Sequence, residues 1–259
     1  MRYPEDFTDK IICGDALEVL KCIPSNRIDL IATDPPYGGL LKSKTWDNQW
    51  KNNQEYLDWC KSWFVECHRI LKPDGNFYVF QNWQLVAENV VILKSIFPYF
   101  KNWITWERIK GRASKSNFKS AKEEILYFAK CEKPKFNEQK KLRPVIAPYR
   151  DEDGKPKGWF ISEDGERVRW TGVGNVWHYT PPVWSSIEEK PEHPTQKPLM
   201  MMERIIESSS NEGDVVLDPF IGSGTTCVAA KKLKRQYIGV EQNKKYCEIA
   251  ERRLNEVSK

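Results

Sequence analysis

The chain has 259 residues, a formal net charge of +5, 40% hydrophobic and 30% charged residues, which is enough for one large α/β domain or a domain plus an insertion. Its first residues lack the charged-then-apolar pattern of a secretion signal and no apolar run approaches the ~18 residues of a membrane span, so the expectation is a cytoplasmic protein without membrane partners. Seven scattered cysteines without a CxxC pair, and three distant histidines, argue against a disulfide framework or a zinc site, and no metal is expected.

Charge is unevenly spread. Between Lys101 and Lys157 there are 16 Lys and Arg against 8 Asp and Glu, a net of +8 that leaves −3 for the rest of the chain. Local positive charge of this kind suits a phosphate-binding face, and equally a solvated, lysine-rich surface.

In chain order, Ile11 to Cys13 reads as a short strand, Gly14-Asp15 as a turn, and Ala16 to Leu20 as the start of a helix. Asp15 therefore stands at a strand-to-helix turn, where it is an N-cap, a ligand contact, or both. Ile28, Leu30, Ile31 and Ala32 then form the nearly continuous apolar run of a strand buried on both faces of a parallel sheet, and Asp34 lies just past its end. Pro35 and Pro36 fix φ and remove two N–H donors, so the carbonyls here are free for a partner outside the fold. With the Tyr37 ring beside them, these acceptors suit a planar group carrying an amino substituent. The plainer alternative is a stiff surface loop with a capping Asp.

The polar stretch Gly38 to Asn53 reads as a mobile loop beside this turn. Tyr56 to Leu71 has helical apolar spacing, Lys72-Pro73-Asp74-Gly75 reads as a turn, and Asn76 to Phe80 is a second buried strand, implying a parallel crossover. A helix over Leu85 to Phe97 and a strand over Trp103 to Trp106 lead to the basic linker Arg108 to Lys115. Lys110, Arg112 and Lys115 in that linker are suited to tracking a phosphate backbone without reading bases. A strand follows at Ile125 to Phe128.

From Cys131 to Pro191 prolines break the pattern. Gly158 to Ile161 and Arg167 to Trp170, joined through Glu163-Asp164-Gly165, read as a hairpin. This region is the expected inserted recognition segment, its aromatics more suited to a small satellite core than to base stacking. His193 to Pro198 then opens a helix with apolar positions at Leu199, Met202, Ile205 and Ile206, Pro198 standing as a first-turn proline and Met200 to Met202 as core. Val215 to Asp218 is a buried strand, Pro219 to Thr226 a glycine turn, and a helix runs on to Leu233. The turn lets backbone approach a ligand at a helix N-terminus, but matches neither the dinucleotide fingerprint nor the P-loop. Tyr237 to Val240 is the next strand, ending in Glu241, about 20 residues past the glycines, the offset at which an acid binds ribose hydroxyls. A nucleoside ligand without a pyrophosphate fits this set.

Three of these segments, Asp34-Pro35-Pro36-Tyr37, His193-Pro194-Thr195-Gln196-Lys197-Pro198 and Asp218-Pro219-Phe220-Ile221-Gly222-Ser223-Gly224, resemble the catalytic, methionine-binding and glycine motifs of S-adenosylmethionine-dependent DNA amino-methyltransferases of the restriction-modification type. Their order, catalytic motif first and glycine motif last, resembles the beta group of that family. The resemblance implies an α/β fold with a doubly wound, mostly parallel sheet, the Rossmann-like methyltransferase fold. Residues 1–130 would be the catalytic half, 131–191 the inserted target-recognition region and 192–259 the cofactor-binding half.

It also implies roles. Asp34 and the Pro35 carbonyl would accept hydrogen bonds from the amino group of a base flipped out of double-stranded DNA, with Pro36 stiffening the turn and Tyr37 stacking on the base. Phe220, Gly222, Gly224 and Thr225 would line the methionine and ribose of S-adenosylmethionine. Thr195 and Lys197 would lie near its carboxylate, Glu241 on the ribose and Asp15 on the adenine amine, while Asp218 would contact the cofactor or only order the glycine turn. Asp at the head of the motif favours adenine N6 as target, with cytosine N4 as the alternative. RNA or protein-glutamine methylation fits less well because the glycine motif then normally comes first, and intact Asp34, Tyr37, Gly222 and Glu241 argue against an inactive DNA-binding protein. A homodimer and a cognate restriction endonuclease are further partners that the resemblance raises.

Overall fold

The structure is a computed structural model that describes residues 1–38, 47–108, 116, 118, 120–182 and 195–257. Along the chain run β1 (Lys10–Cys13), α1 (Ala16–Cys22), β2 (Ile28–Thr33), α2 (Asn53–Ile70), β3 (Leu71–Gln81), α3 (Val86–Ile96), β4 (Tyr99–Glu107) and β5 (Lys122–Ala129). They are followed by β6 (Lys140–Pro144), β7 (Phe160–Ile161), β8 (Arg167–Gly172), β9 (Val176–His178), α4 (Leu199–Ser209), β10 (Val215–Asp218), α5 (Thr225–Lys232), β11 (Gln236–Glu241) and α6 (Lys244–Glu256).

Eight strands form one sheet in the order β1-β11-β10-β2-β3-β5-β4-β9. The pairings from β1 through β3 are all parallel, and β5 runs antiparallel to both β3 and β4. Strand side chains alternate between faces, and both faces here are apolar. Phe77, Val79, Leu126, Phe128, Leu217 and Ile238 join one core with α1, α2 and α3. Tyr78, Phe80, Ile125, Tyr127, Val216 and Tyr237 join the other with α4, α5 and α6. This two-sided cover explains the continuous apolar runs of β2 and β10 and makes the sheet doubly wound, as expected.

Several expectations change. Lys72 to Gly75 does not separate helix from strand: β3 already begins at Leu71, and these residues bulge out between the pairs Ile28–Leu71 and Leu30–Asn76. The bulge is held by Lys72, whose Nζ is 2.8 Å from the Asp29 carboxylate, and it packs closely, since a Cβ on Gly75 would lie 2.8 Å from the Leu71 side chain. Strands β4 and β5 run well past their apolar centres because their antiparallel ladder extends from Tyr99–Ala129 to Glu107–Lys122. Within the segment 131–191, β6, β8 and β7 make a separate antiparallel sheet containing the expected hairpin. The short β9 instead returns to the main sheet beside β4. The aromatics of the segment divide: Trp159 and Trp177 are buried, whereas Tyr149 and Trp170 are exposed. Met201 and Met202 are core but Met200 points to solvent, because three successive helical positions cannot share one buried face. Pro198 is the N-cap of α4 rather than its first residue. The expected loop over Gly38 to Asn53 lies partly outside the described residues. Among the described residues no helix is long and apolar enough to cross a membrane.

Candidate active site

Parallel pairing brings the carboxyl ends of β1, β11, β10 and β2 to one edge of the sheet. The chain leaves β2 toward α2 on one face and leaves β10 toward α5 on the other, so a crevice opens where these two neighbours diverge. A cavity of about 610 Å³ occupies it, lined by residues that include Asp15, Asp34, Pro35, Pro36, Tyr37, Thr195, Lys197, Asp218, Phe220, Gly222, Thr225 and Glu241. Residues from opposite ends of the sequence meet there.

The β2 side is rigid. Pro35 and Pro36 contribute no N–H, and the next two amides, of Tyr37 and Gly38, both donate to Asp47 Oδ1 at 2.7 and 3.2 Å. The Pro36 carbonyl is not free for an outside partner, since it accepts the Tyr56 hydroxyl at 2.9 Å. Asp34 Oδ1 accepts the Tyr37 hydroxyl at 2.5 Å and Oδ2 accepts the Lys197 ammonium at 2.5 Å. Burial pushes the Asp34 carboxyl up; the Lys197 charge opposes this and Glu123 reinforces it, with a net rise. Burial would lower Lys197, but Asp34 and Glu123 outweigh it and hold the ammonium above the ordinary lysine value. Tyr37 is raised well above its ordinary value, first by burial and then by the neighbouring carboxylates, so its hydroxyl stays a donor.

The β10 side is a glycine turn held from beneath. Asp218 accepts from the Thr33 hydroxyl (2.6 Å), the Thr226 hydroxyl (2.6 Å) and the Phe220 amide (3.0 Å), tying the turn to both β2 and α5. Burial pushes its carboxyl up to about 6 against these three donors. Gly222 and Gly224 have φ of +50° and +83°, a region that L side chains rarely enter. Arg253 of α6 donates to the Ser223 carbonyl at 2.7 Å and the Thr225 hydroxyl at 3.1 Å, while Ser223 Oγ reaches Gln196 at 3.0 Å. Glu241 accepts from the Gly222 and Asn243 amides at 3.1 and 2.8 Å, and burial raises its carboxyl above the ordinary value. Phe220 packs edge-on against Trp63 at 5.1 Å.

An acid at the end of β11, an aromatic ring and an open glycine turn at one wall of the cavity form a donor and acceptor set that fits a nucleoside with an amino-acid tail. The residues present therefore suit the cofactor that the motifs imply. Asp15 caps α1 through the Glu18 amide at 3.1 Å and also lines this wall, so capping the helix does not take it away from the cavity. Lys197 departs from expectation: its ammonium is committed to Asp34, and to Glu123 at 3.3 Å, rather than offered to a cofactor carboxylate. The linker residues Lys110, Arg112 and Lys115 lie outside the described residues. Sequence reasoning missed Asp47, Tyr56 and Glu123, whose partners are 9 to 86 residues away. A signal existed for Glu123, which stands in the charged start Lys122-Glu123-Glu124 of β5, just ahead of its apolar run.

A family model described as DNA methylase matches residues 28–252. The Type II methyltransferase M.HpaI of Haemophilus parainfluenzae is 37% identical over 248 residues, covering 95% of this chain and 74% of the relative. The DNA adenine methyltransferase YhdJ of Escherichia coli is 35% identical, covering 96% and 83%. The crystal structure of the M1.HpyAVI–SAM complex aligns with a TM-score of 0.63 at 26% identity, covering 95% and 98%.

Proposed function

Because the chain belongs to the DNA methylase family, whose pattern spans residues 28–252, and is a DNA methyltransferase that uses S-adenosylmethionine, we propose that it methylates adenine N6 at a specific sequence in double-stranded DNA. The observation that supports this most is the sharing of one cavity by the Asp34 turn and the Glu241 and glycine-turn wall. That arrangement gives an amine acceptor and a methyl-donor site a common space. Asp heading the motif favours adenine, and the similar YhdJ is named a DNA adenine methyltransferase.

When bound, S-adenosylmethionine supplies a methyl made electrophilic by its sulfonium. In this reading Phe220, Gly222, Thr225 and Thr195 surround its methionine and ribose, Glu241 accepts from the ribose hydroxyls and Asp15 from the adenine amine; Gly224, which packs against Ala250 and does not line the cavity, only shapes the turn. Asp218 holds the turn in shape. The lone pair of an exocyclic amine is delocalised into its ring. Asp34 and the Pro35 carbonyl accept its two hydrogens and draw the nitrogen out of conjugation, and Asp34 takes the proton that the nitrogen sheds as the N–C bond forms. Tyr37 stacks on the flipped base, and placement and charge do the remainder.

Unmethylated DNA incubated with labelled S-adenosylmethionine and digested to nucleosides should yield label in N6-methyl-2′-deoxyadenosine. Label only in cytosine overturns the choice of base and favours the N4 alternative. Asp34→Ala should abolish transfer while leaving DNA affinity largely intact; undiminished turnover removes Asp34 from the mechanism. Lys110, Arg112 and Lys115 belong to this reading as phosphate contacts. So do a cytoplasmic location, a homodimer, to be tested by sedimentation, and a companion restriction endonuclease, to be tested by whether expression protects DNA from one.

A further inference from the structure

Glu123 is a buried acid to which the reaction as described gives no task. It lies in β5 opposite Trp106 of β4, and its two oxygens face different groups. Oε2 is 3.3 Å from the Lys197 ammonium and 3.4 Å from the Tyr37 hydroxyl, while Oε1 is 2.5 Å from Arg108 Nη1. Arg108 is the first residue beyond β4, where the basic linker begins. A chain of contacts therefore runs from the linker through Arg108, Glu123 and Lys197 to Asp34. Every side chain in it except Arg108 is largely withdrawn from water.

In a water-poor site, a one-to-one pair between Lys197 and Asp34 would be tight, and a tightly paired carboxylate is a weak acceptor and a weak base. Sharing the ammonium changes this. We propose that Glu123 is a positioning residue for methyl transfer: by sharing Lys197 with Asp34 it leaves Asp34 basic enough to accept the target amine's hydrogen bond and proton. The proposal rests on the reading of Asp34 as that acceptor. The charged and titratable groups facing Asp34 are Tyr37 from its own turn, Lys197 from the segment before α4, Glu123 from β5 and Asp218 from β10, with Arg108 behind Glu123. Consistent with the geometry, Glu123 is among the groups that raise Asp34, and Lys197 lowers it.

The test is the pH dependence of the single-turnover rate, measured with the full chain, unmethylated DNA and labelled S-adenosylmethionine. The rate should rise with pH as Asp34 ionises. Removing the Glu123 charge in Glu123→Gln lowers the Asp34 pKa, so this acid limb should move down by on the order of one pH unit, and the maximal rate should fall roughly tenfold. The Kd values for S-adenosylmethionine and DNA should stay within about threefold. Arg108→Gln removes the cation paired with Glu123 Oε1 and should move the limb up. Glu123→Asp should keep the wild-type limb.

A residue that merely supported the fold would move both limbs alike or neither, so either outcome overturns the proposal. If Glu123→Gln does not fold, Arg108→Gln and Glu123→Asp decide: a limb that stays in place in the first, or falls in the second, overturns it. Asp34→Asn separates the two readings. If Asp34→Asn keeps the wild-type rate, the acceptor role of Asp34 fails; if it is inactive while the Glu123→Gln limb is unmoved, only the role of Glu123 fails.

Discussion

Replacing Gly224 by Ala isolates how rigidly the glycine turn is walled in. Gly224 has φ of +83°, and a Cβ there would lie 2.7 Å from Ala250 Cβ and 3.1 Å from Ala250 Cα on α6. The left-handed conformation costs an alanine about 1–2 kcal/mol, and pushing into a packed helix backbone adds about 1–3 kcal/mol. The stiffer unfolded chain returns about 0.4–1 kcal/mol, leaving a net loss of about 1–5 kcal/mol. Gly154 is the control: its φ is +77° but nothing lies within 4 Å of a Cβ, so its alanine bears the backbone term alone and should lose no more than about 1.6 kcal/mol. The two variants differ by the packing contribution alone, so in a domain of this size class they should melt roughly 2–12 °C apart, read by calorimetry at one scan rate. Gly224→Ala melting within about 2 °C of Gly154→Ala would refute the contact with α6 as a rigid wall.

Other expectations follow from the same geometry. Glu241→Gln removes a charged acceptor, so S-adenosylmethionine affinity should fall about 10- to 100-fold by titration calorimetry; an unchanged Kd would take Glu241 off the ribose. Changing Lys110, Arg112 and Lys115 to Ala together should reduce the slope of log affinity for DNA against log salt by about 2.7, and an unaltered slope means that the linker does not touch phosphate. Burial opposes the ionisation of Asp29, but the Lys72 hydrogen bond, the Val215 amide and the Lys135 charge outweigh it and hold the carboxyl below its ordinary value. Its stabilising contribution is therefore complete above about pH 4 and lost as pH falls through the lowered folded value. Asp29→Asn lacks that contribution, so its melting temperature should fall less steeply than that of wild type on acidification below pH 4. Parallel curves would contradict the assignment.

The parts of the site legible in the sequence are those announced by local pattern. Ile28 to Ala32 and Val215 to Leu217 stand out because each strand is buried on both faces, and that burial also locates Asp34 and Asp218 at their ends. Glu241 was reachable by its distance from the glycines. Lys197 was misdirected because its ammonium meets Asp34 across 163 residues, and no local pattern encodes a pairing at that range. The chain order of the motifs told which segments cooperate, but not which oxygen each cation takes. Strand β9 escaped notice for a different reason: only Trp177 of its three residues is buried, too short a run for an alternation to show. At Lys72 to Gly75 turn chemistry was read correctly as a departure from regular pairing, but the ladder with β2 resumes beyond it.

Strand β1 lies at the edge of the sheet with β11 as its neighbour, and the bond from the Tyr237 amide to Asp9 that secures this pairing spans 228 residues. During synthesis, then, β1 emerges early and waits, without its partner, until β11 has left the ribosome. The glycine turn waits still longer for Arg253, which donates to the Ser223 carbonyl and the Thr225 hydroxyl. A polypeptide that stops short of these residues has the Asp34 turn but not the wall facing it. Interrupted translation therefore yields fragments with an incomplete cavity rather than partial enzymes, and the ability to mark DNA arises only when translation has passed through α6.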